Sequence, residues 1–124
     1  MKLILIGLLI GACLTHVQWP IAASTKIVKS YTHISPGQTY DGFLENGGKW
    51  VRYERGINRK DNCDNINIEG THTDYVFILL KKATLKNVIL GPNSIRYVNC
   101  FQAECNLENV WWEDVCNHAC YCLG

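Results

Sequence analysis

Past residue 24 the apolar positions come in short runs or in alternation, and nowhere do they recur every three or four residues, so the pattern predicts strands and no amphipathic helix. Lys26-Ile27-Val28-Lys29 and Tyr31 to Ile34 read as opening strands, closed by the turn signal Ser35-Pro36-Gly37. Asp41-Gly42 and Asn46-Gly47-Gly48 predict further turns. Trp50-Val51-Arg52-Tyr53 alternates apolar and basic residues, as a half-buried strand does. Residues 55–65 are polar and charged and read as a loop. Tyr75-Val76-Phe77-Ile78-Leu79-Leu80 is an unbroken apolar run, short for a helix and suited to a strand buried on both faces. Strands are also expected over residues 85–90, 95–99 and 107–115, with a turn at Gly91-Pro92-Asn93-Ser94.

Within this pattern a short string repeats. Leu85-x-Asn87-Val88 recurs 22 residues on as Leu107-x-Asn109-Val110, and a fainter copy, Cys63-Asp64-Asn65-Ile66, lies the same distance upstream. A fixed period of this size marks a solenoid, and units this short and β-rich predict an all-β, right-handed parallel β-helix. Equivalent residues then stack at about 4.8 Å. Asn65, Asn87 and Asn109 are expected to hydrogen-bond side chain to side chain as a ladder. Chance is the plainer explanation of one four-residue match; the third copy weighs against it.

Composition narrows the class. Lys2 followed by an apolar run over residues 3–14, with Ile21-Ala22-Ala23 as a cleavage site, predicts a signal peptide over residues 1–23 and a domain over 24–124. The run is shorter than the roughly 20 residues of a spanning helix. A signal anchor is the alternative. Without Lys2 the remaining chain carries 11 basic and 11 acidic residues, and no basic stripe for nucleic acid or a membrane surface. Of seven cysteines Cys13 leaves with the leader; Cys63, Cys100, Cys105, Cys116, Cys120 and Cys122 remain. In a secreted chain an even count implies disulfides, and the pairing stays open.

Two blocks carry a family resemblance. Ala83-Thr84-Leu85-Lys86-Asn87-Val88-Ile89-Leu90-Gly91 and Asn109-Val110-Trp111-Trp112-Glu113-Asp114-Val115 resemble the signature blocks of the pectate lyases of polysaccharide lyase family 3. Asp41-Gly42 with Arg52-Tyr53 resembles that family's amino-terminal block, and residues 43–74 fit loosely. The resemblance implies a right-handed parallel β-helix, secretion, calcium as cofactor, and cleavage of polygalacturonate, the acidic backbone of pectin, by β-elimination. In that reaction a base removes a weakly acidic proton alpha to the uronate carboxyl group. A divalent cation held by carboxylates draws off the developing charge.

The resemblance also fixes where the cation's ligands belong. The family's Asp-Gly-Ile-His-Cys block aligns with Arg96-Tyr97-Val98-Asn99-Cys100, and its Glu-Asp pair with Asn117-His118. Arg96, Asn117 and His118 therefore occupy the calcium-ligand positions. Asn offers a carbonyl oxygen, but neutral His is a poor ligand for a hard cation. The family's base Lys and its substrate-binding Arg belong to later turns, beyond Gly124. The expectation is a truncated, divergent member: a β-helix incomplete at its carboxy end, with no catalytic residue and no calcium bound in the family's way. Two readings follow, a calcium-dependent pectate lyase or a non-catalytic secreted fragment that binds polyuronate weakly or has no function. Pectin or polygalacturonate is the one partner implied; nucleic acid and, after leader removal, membrane are not. An uncapped last coil also predicts self-association through its exposed edge.

Four other groupings merit weighing. Cys116-x-His118-x-Cys120-x-Cys122 shares one face of a strand, but six residues at about 3.3 Å each separate its ends by roughly 20 Å. One zinc ion with bonds of about 2.0–2.3 Å cannot gather such a set, so disulfides are preferred. Glu113 and Asp114 point to opposite faces of a strand. Trp111 and Trp112 form either a sugar-stacking surface or one core and one groove residue. Lys81, Lys82, Lys86 and Arg96 form either an edge that attracts polyuronate or a solvated face, and His33 and His72 read as surface residues.

Overall fold

The computed structural model describes residues 18–57, 75–102, 104–115 and 118–122. Its elements follow in the order β1 (Ser24–Ile27), β2 (Thr32–Ile34), β3 (Thr39–Asp41), α1 (Gly42–Glu45), β4 (Val51–Glu54), β5 (Phe77–Leu79), β6 (Ala83–Leu90), β7 (Arg96–Cys100), β8 (Cys105–Trp112) and β9 (His118–Cys122). All pairings among these strands are parallel. β2, β5, β7 and β9 stack into one sheet; β1, β4, β6 and β3 form the other, with β8 on β6. The chain leaves one sheet, crosses the other and returns one rung later, which is a right-handed parallel β-helix. Among the described residues no helix is long and apolar enough to cross a membrane.

The expected period is the register. Ala83 pairs with Cys105, Leu85 with Leu107 and Val88 with Val110, each 22 residues apart. β6 and β8 are bent strands. Asn87 and Asn109 have φ of 57° and 55°, in the left-handed region that Asn tolerates better than most residues. One left-handed residue resets the strand's alternation: Ala83 and Leu85 face the core before it, Val88 and Leu90 after it. The two halves then belong to different faces of the coil, since β3 pairs with residues 84–86 and β4 with residues 89–90.

The ladder forms between Asn87 and Asn109, and Asp41 joins it. Asn109 Nδ2 donates to Asn87 Oδ1 and Asn87 Nδ2 donates to Asp41 Oδ1, both at 2.9 Å. Trp111 Nε1 donates to Asn109 Oδ1 at 2.8 Å. Asn65 lies outside the described residues, and Asp41 occupies the rung adjoining Asn87. Asp41-Gly42 is also more than a turn: Asp41 caps the single helical turn α1, accepting from the Phe43 amide at 2.9 Å. Gly42 is required there, because a Cβ would overlap the carbonyl oxygen of Asn87. The core runs between the faces, with Tyr40, Tyr53 and Phe77 packed ring to ring at 5.2–6.0 Å.

Asn87→Ala removes both ladder bonds and strains a left-handed residue, while Asn87→Gly removes the bonds alone. Urea unfolding should find the Ala variant about 2–4 kcal/mol less stable and the Gly variant less affected; equal losses would refute the role given to φ. The Asn87 amide, aided by backbone hydrogen bonds, holds the Asp41 carboxyl below the usual carboxylate range. A depressed folded value means that its contribution is full above about pH 4 and is lost as pH falls through the folded value. The stability gap between wild type and Asp41→Asn should therefore narrow between about pH 6 and pH 2.5 in thermal melts; a constant gap would contradict the ladder's dependence on charge.

Candidate functional site

β7 follows the tight turn at residues 91–95, and its first residue is Arg96. Buried Ser94 anchors that turn, accepting from the Arg55 amide at 2.9 Å. Arg55 in turn donates to the carbonyls of Tyr75 and Lys29 at 2.9 and 3.0 Å. Arg96 is only 2% exposed, with its guanidinium carbon 5.9 Å from the centroid of the Tyr75 ring. Its register partner on the next rung is His118. Two of the three positions that the resemblance assigns to calcium ligands are thus neighbours across a parallel pair; Asn117 lies outside the described residues.

The donor set does not fit calcium. A hard cation requires several oxygens, mostly anionic, at 2.3–2.6 Å. Here a buried guanidinium with no acceptor atom stands at the first position, and an imidazole residue takes the next rung. A fixed positive charge beside a divalent ion is repulsive. Among the described residues no group of three His, Cys, Asp or Glu side chains is placed to hold a metal.

The basic edge is corrected by the fold. Arg96 is buried on β7, whereas Lys86 lies on β6 of the other sheet and Lys81 and Lys82 lie in the turn between β5 and β6. Lys81 Nζ lies 3.9 Å from Glu104 Oε1, and Lys86 stands in register between Asp41 and Glu108. These acids offset much of the attraction a polyuronate would feel. Trp111 and Trp112 divide as core and groove residues: Trp112 packs on the core and donates to the Ala119 carbonyl at 3.2 Å, whereas Trp111 faces out. His33 is exposed and lies against Tyr31 at 4.9 Å; His72 lies outside the described residues.

Glu113 is engaged in a way its sequence position hid. Arg52 Nη2 donates to Glu113 Oε2 at 2.8 Å, its Nε bonds the other carboxylate oxygen, and its Nη1 donates to Thr25 Oγ1 at 2.9 Å. Arg52 thereby ties the rung of β1 to the end of β8. The Glu113 carboxylate raises the already high pKa of Arg52. Beside this clamp, buried Glu54 accepts from the Asn93 amide nitrogens at 3.1 and 3.2 Å. No local signal links residues 61 positions apart; only the coil brings them together.

The sulfurs are only partly paired. Cys100 and Cys105 form a disulfide across the corner from β7 to β8. Cys120 and Cys122 carry free thiols with sulfurs 3.8 Å apart, contrary to the expectation of disulfides through them; Cys63 and Cys116 lie outside the described residues. Both thiols sit on one side of β9, and Cys120 is half-buried against the core.

A parallel β-helix with an Asn-bonded corner defines the class: a solenoid of stacked parallel rungs. The chain belongs to the pectate lyase family, whose model matches residues 16–124. It is 37% identical over 122 residues to the probable pectate lyase G of Emericella nidulans, covering 90% of this chain and 43% of that protein. It is 39% identical over 121 residues to the probable pectate lyase D of Aspergillus fumigatus, covering 95% and 44%. Against pectate lyase E of Emericella nidulans the identity is 43% over 90 residues, covering 73% and 32%. The chain spans less than half the length of these relatives. No solved structure matches it.

Burial, then the neighbouring Cys122 thiol, push the Cys120 thiol up to about 12. At about pH 8 iodoacetamide should therefore modify exposed Cys122 well before Cys120, since the thiolate is the nucleophile. Peptide mass spectrometry of a time course reads the order, and faster labelling of Cys120 would contradict the packing described.

Proposed function

We propose that this chain is a secreted pectate-lyase relative that does not perform calcium-assisted β-elimination and engages polygalacturonate weakly at most. The observation that carries the reading is the burial of Arg96, 2% exposed and in register with His118, at positions that the resemblance assigns to the family's calcium carboxylates. A buried cation supplies no oxygen ligand, and its own charge opposes a divalent ion. The interleaving of Lys81 and Lys86 with Glu104, Asp41 and Glu108 supports weak attraction to an acidic polymer.

Purified protein mixed with polygalacturonate and calcium should give no rise in the ultraviolet absorbance of unsaturated uronides. A rise abolished by chelator and restored by calcium would sink the reading. Arg96→Asp combined with Asn117→Glu and His118→Asp should gain calcium binding by calorimetry while elimination stays undetectable. A triple variant that folds and binds no calcium would show that these positions are not the degenerate site.

A further inference from the structure

We infer that the cleft framed by Trp19, Trp50 and Trp111 binds an uncharged pyranose oligomer, at a place separate from the calcium-ligand positions. The cleft has a volume of about 410 Å³, and Gln18 and Asn109 add amide groups to its aromatic lining. Small-ligand sites run from about 300 to 1,000 Å³. Two of the rings are fixed. Trp50 packs edge to face on Phe43 at 4.6 Å, and Trp111 donates to Asn109, itself held by the ladder. Trp19 leans over Trp111 with centroids 5.0 Å apart and planes at 59°, and it is 55% exposed.

The chemistry of the lining selects the ligand. Indole faces stack on the C–H face of a pyranose, and indole N–H and amide groups meet its hydroxyls. The indole N–H groups of Trp19 and Trp50 and the Gln18 amide make no hydrogen bond among the described residues, which leaves them for a ligand. Among the described residues no charged side chain lines the cleft, so none of them offsets a uronate carboxylate. Trp111 lies on β8, and Arg96 and His118 lie on the other sheet, so this site is independent of the family position.

The inference requires residues 18–23 to remain with the domain. The Ala23 amide donates to the Trp50 carbonyl at 2.8 Å, and the family match begins at residue 16. Cleavage after Ala23 would discard Trp19, so the inference takes any leader to end before Gln18.

The test uses the chain as secreted, with cellohexaose as the neutral probe and hexagalacturonate as the acidic one. Tryptophan fluorescence should change saturably with cellohexaose, independently of salt. Trp19→Ala and Trp111→Ala should each weaken binding about five- to tenfold. Phe101→Ala, an exposed aromatic in the turn after β7, should leave it unchanged. Trp19 lies outside every strand, so its variant tests the site even if Trp111→Ala fails to fold. Absence of saturable binding, equal affinity in Trp19→Ala, a salt-sensitive preference for hexagalacturonate, or a secreted chain beginning at Ser24 would each overturn the inference.

Discussion

The coil depends on one backbone constraint: a left-handed residue at the same point of successive rungs. Without it, the alternation of β6 would drive Val88 and Leu90 outward and leave Ile89 facing the core. With it, a continuous strand changes face in a single residue, and both halves keep apolar side chains inside. Asparagine meets two needs at once there. It tolerates positive φ, and its amide both donates and accepts, so each rung can bond to the one before it. Asp41 begins the described series as an acceptor and also caps α1, which fastens the amino-terminal turn to the ladder.

The rest of the structure closes around that corner. Gly42 allows the backbone of α1 to approach Asn87, and Gly91 leaves room for the stem of Arg52, whose side chain a Cβ would strike. Arg52 then reaches across the rung of β6 to Glu113. A solenoid relies on contacts between adjacent rungs. A side chain that bonds Thr25 on one side and Glu113 on the other therefore couples units that the sheet itself links only through β4 and β6.

Much of the architecture was legible because periodicity records stacking. The 22-residue repeat of Leu-x-Asn-Val is the register of β6 on β8, and the apolar run at residues 75–80 holds the buried strand β5. What the sequence concealed was contact across rungs of unequal length. β1 lies 27 residues from its partner β4, and Thr32 lies 45 residues from Phe77, so no single period exposes those pairs. The Arg52 clamp and the Asp41 rung went unread for that reason. Arg96 was named in sequence as the occupant of a ligand position. Its burial against Tyr75 follows only from the fold, which removes it from the basic edge where composition alone had grouped it.

That burial changes what the site needs in order to fold. Clustered carboxylates repel one another unless a cation is present, so such a site gains stability when the metal binds. With Arg96 on this rung, the charge is already positive and sits over the face of an aromatic ring, where the π-electrons stabilise it. The charge that this rung carries is thus supplied and stabilised by the covalent chain itself, so its packing needs no bound ion to form.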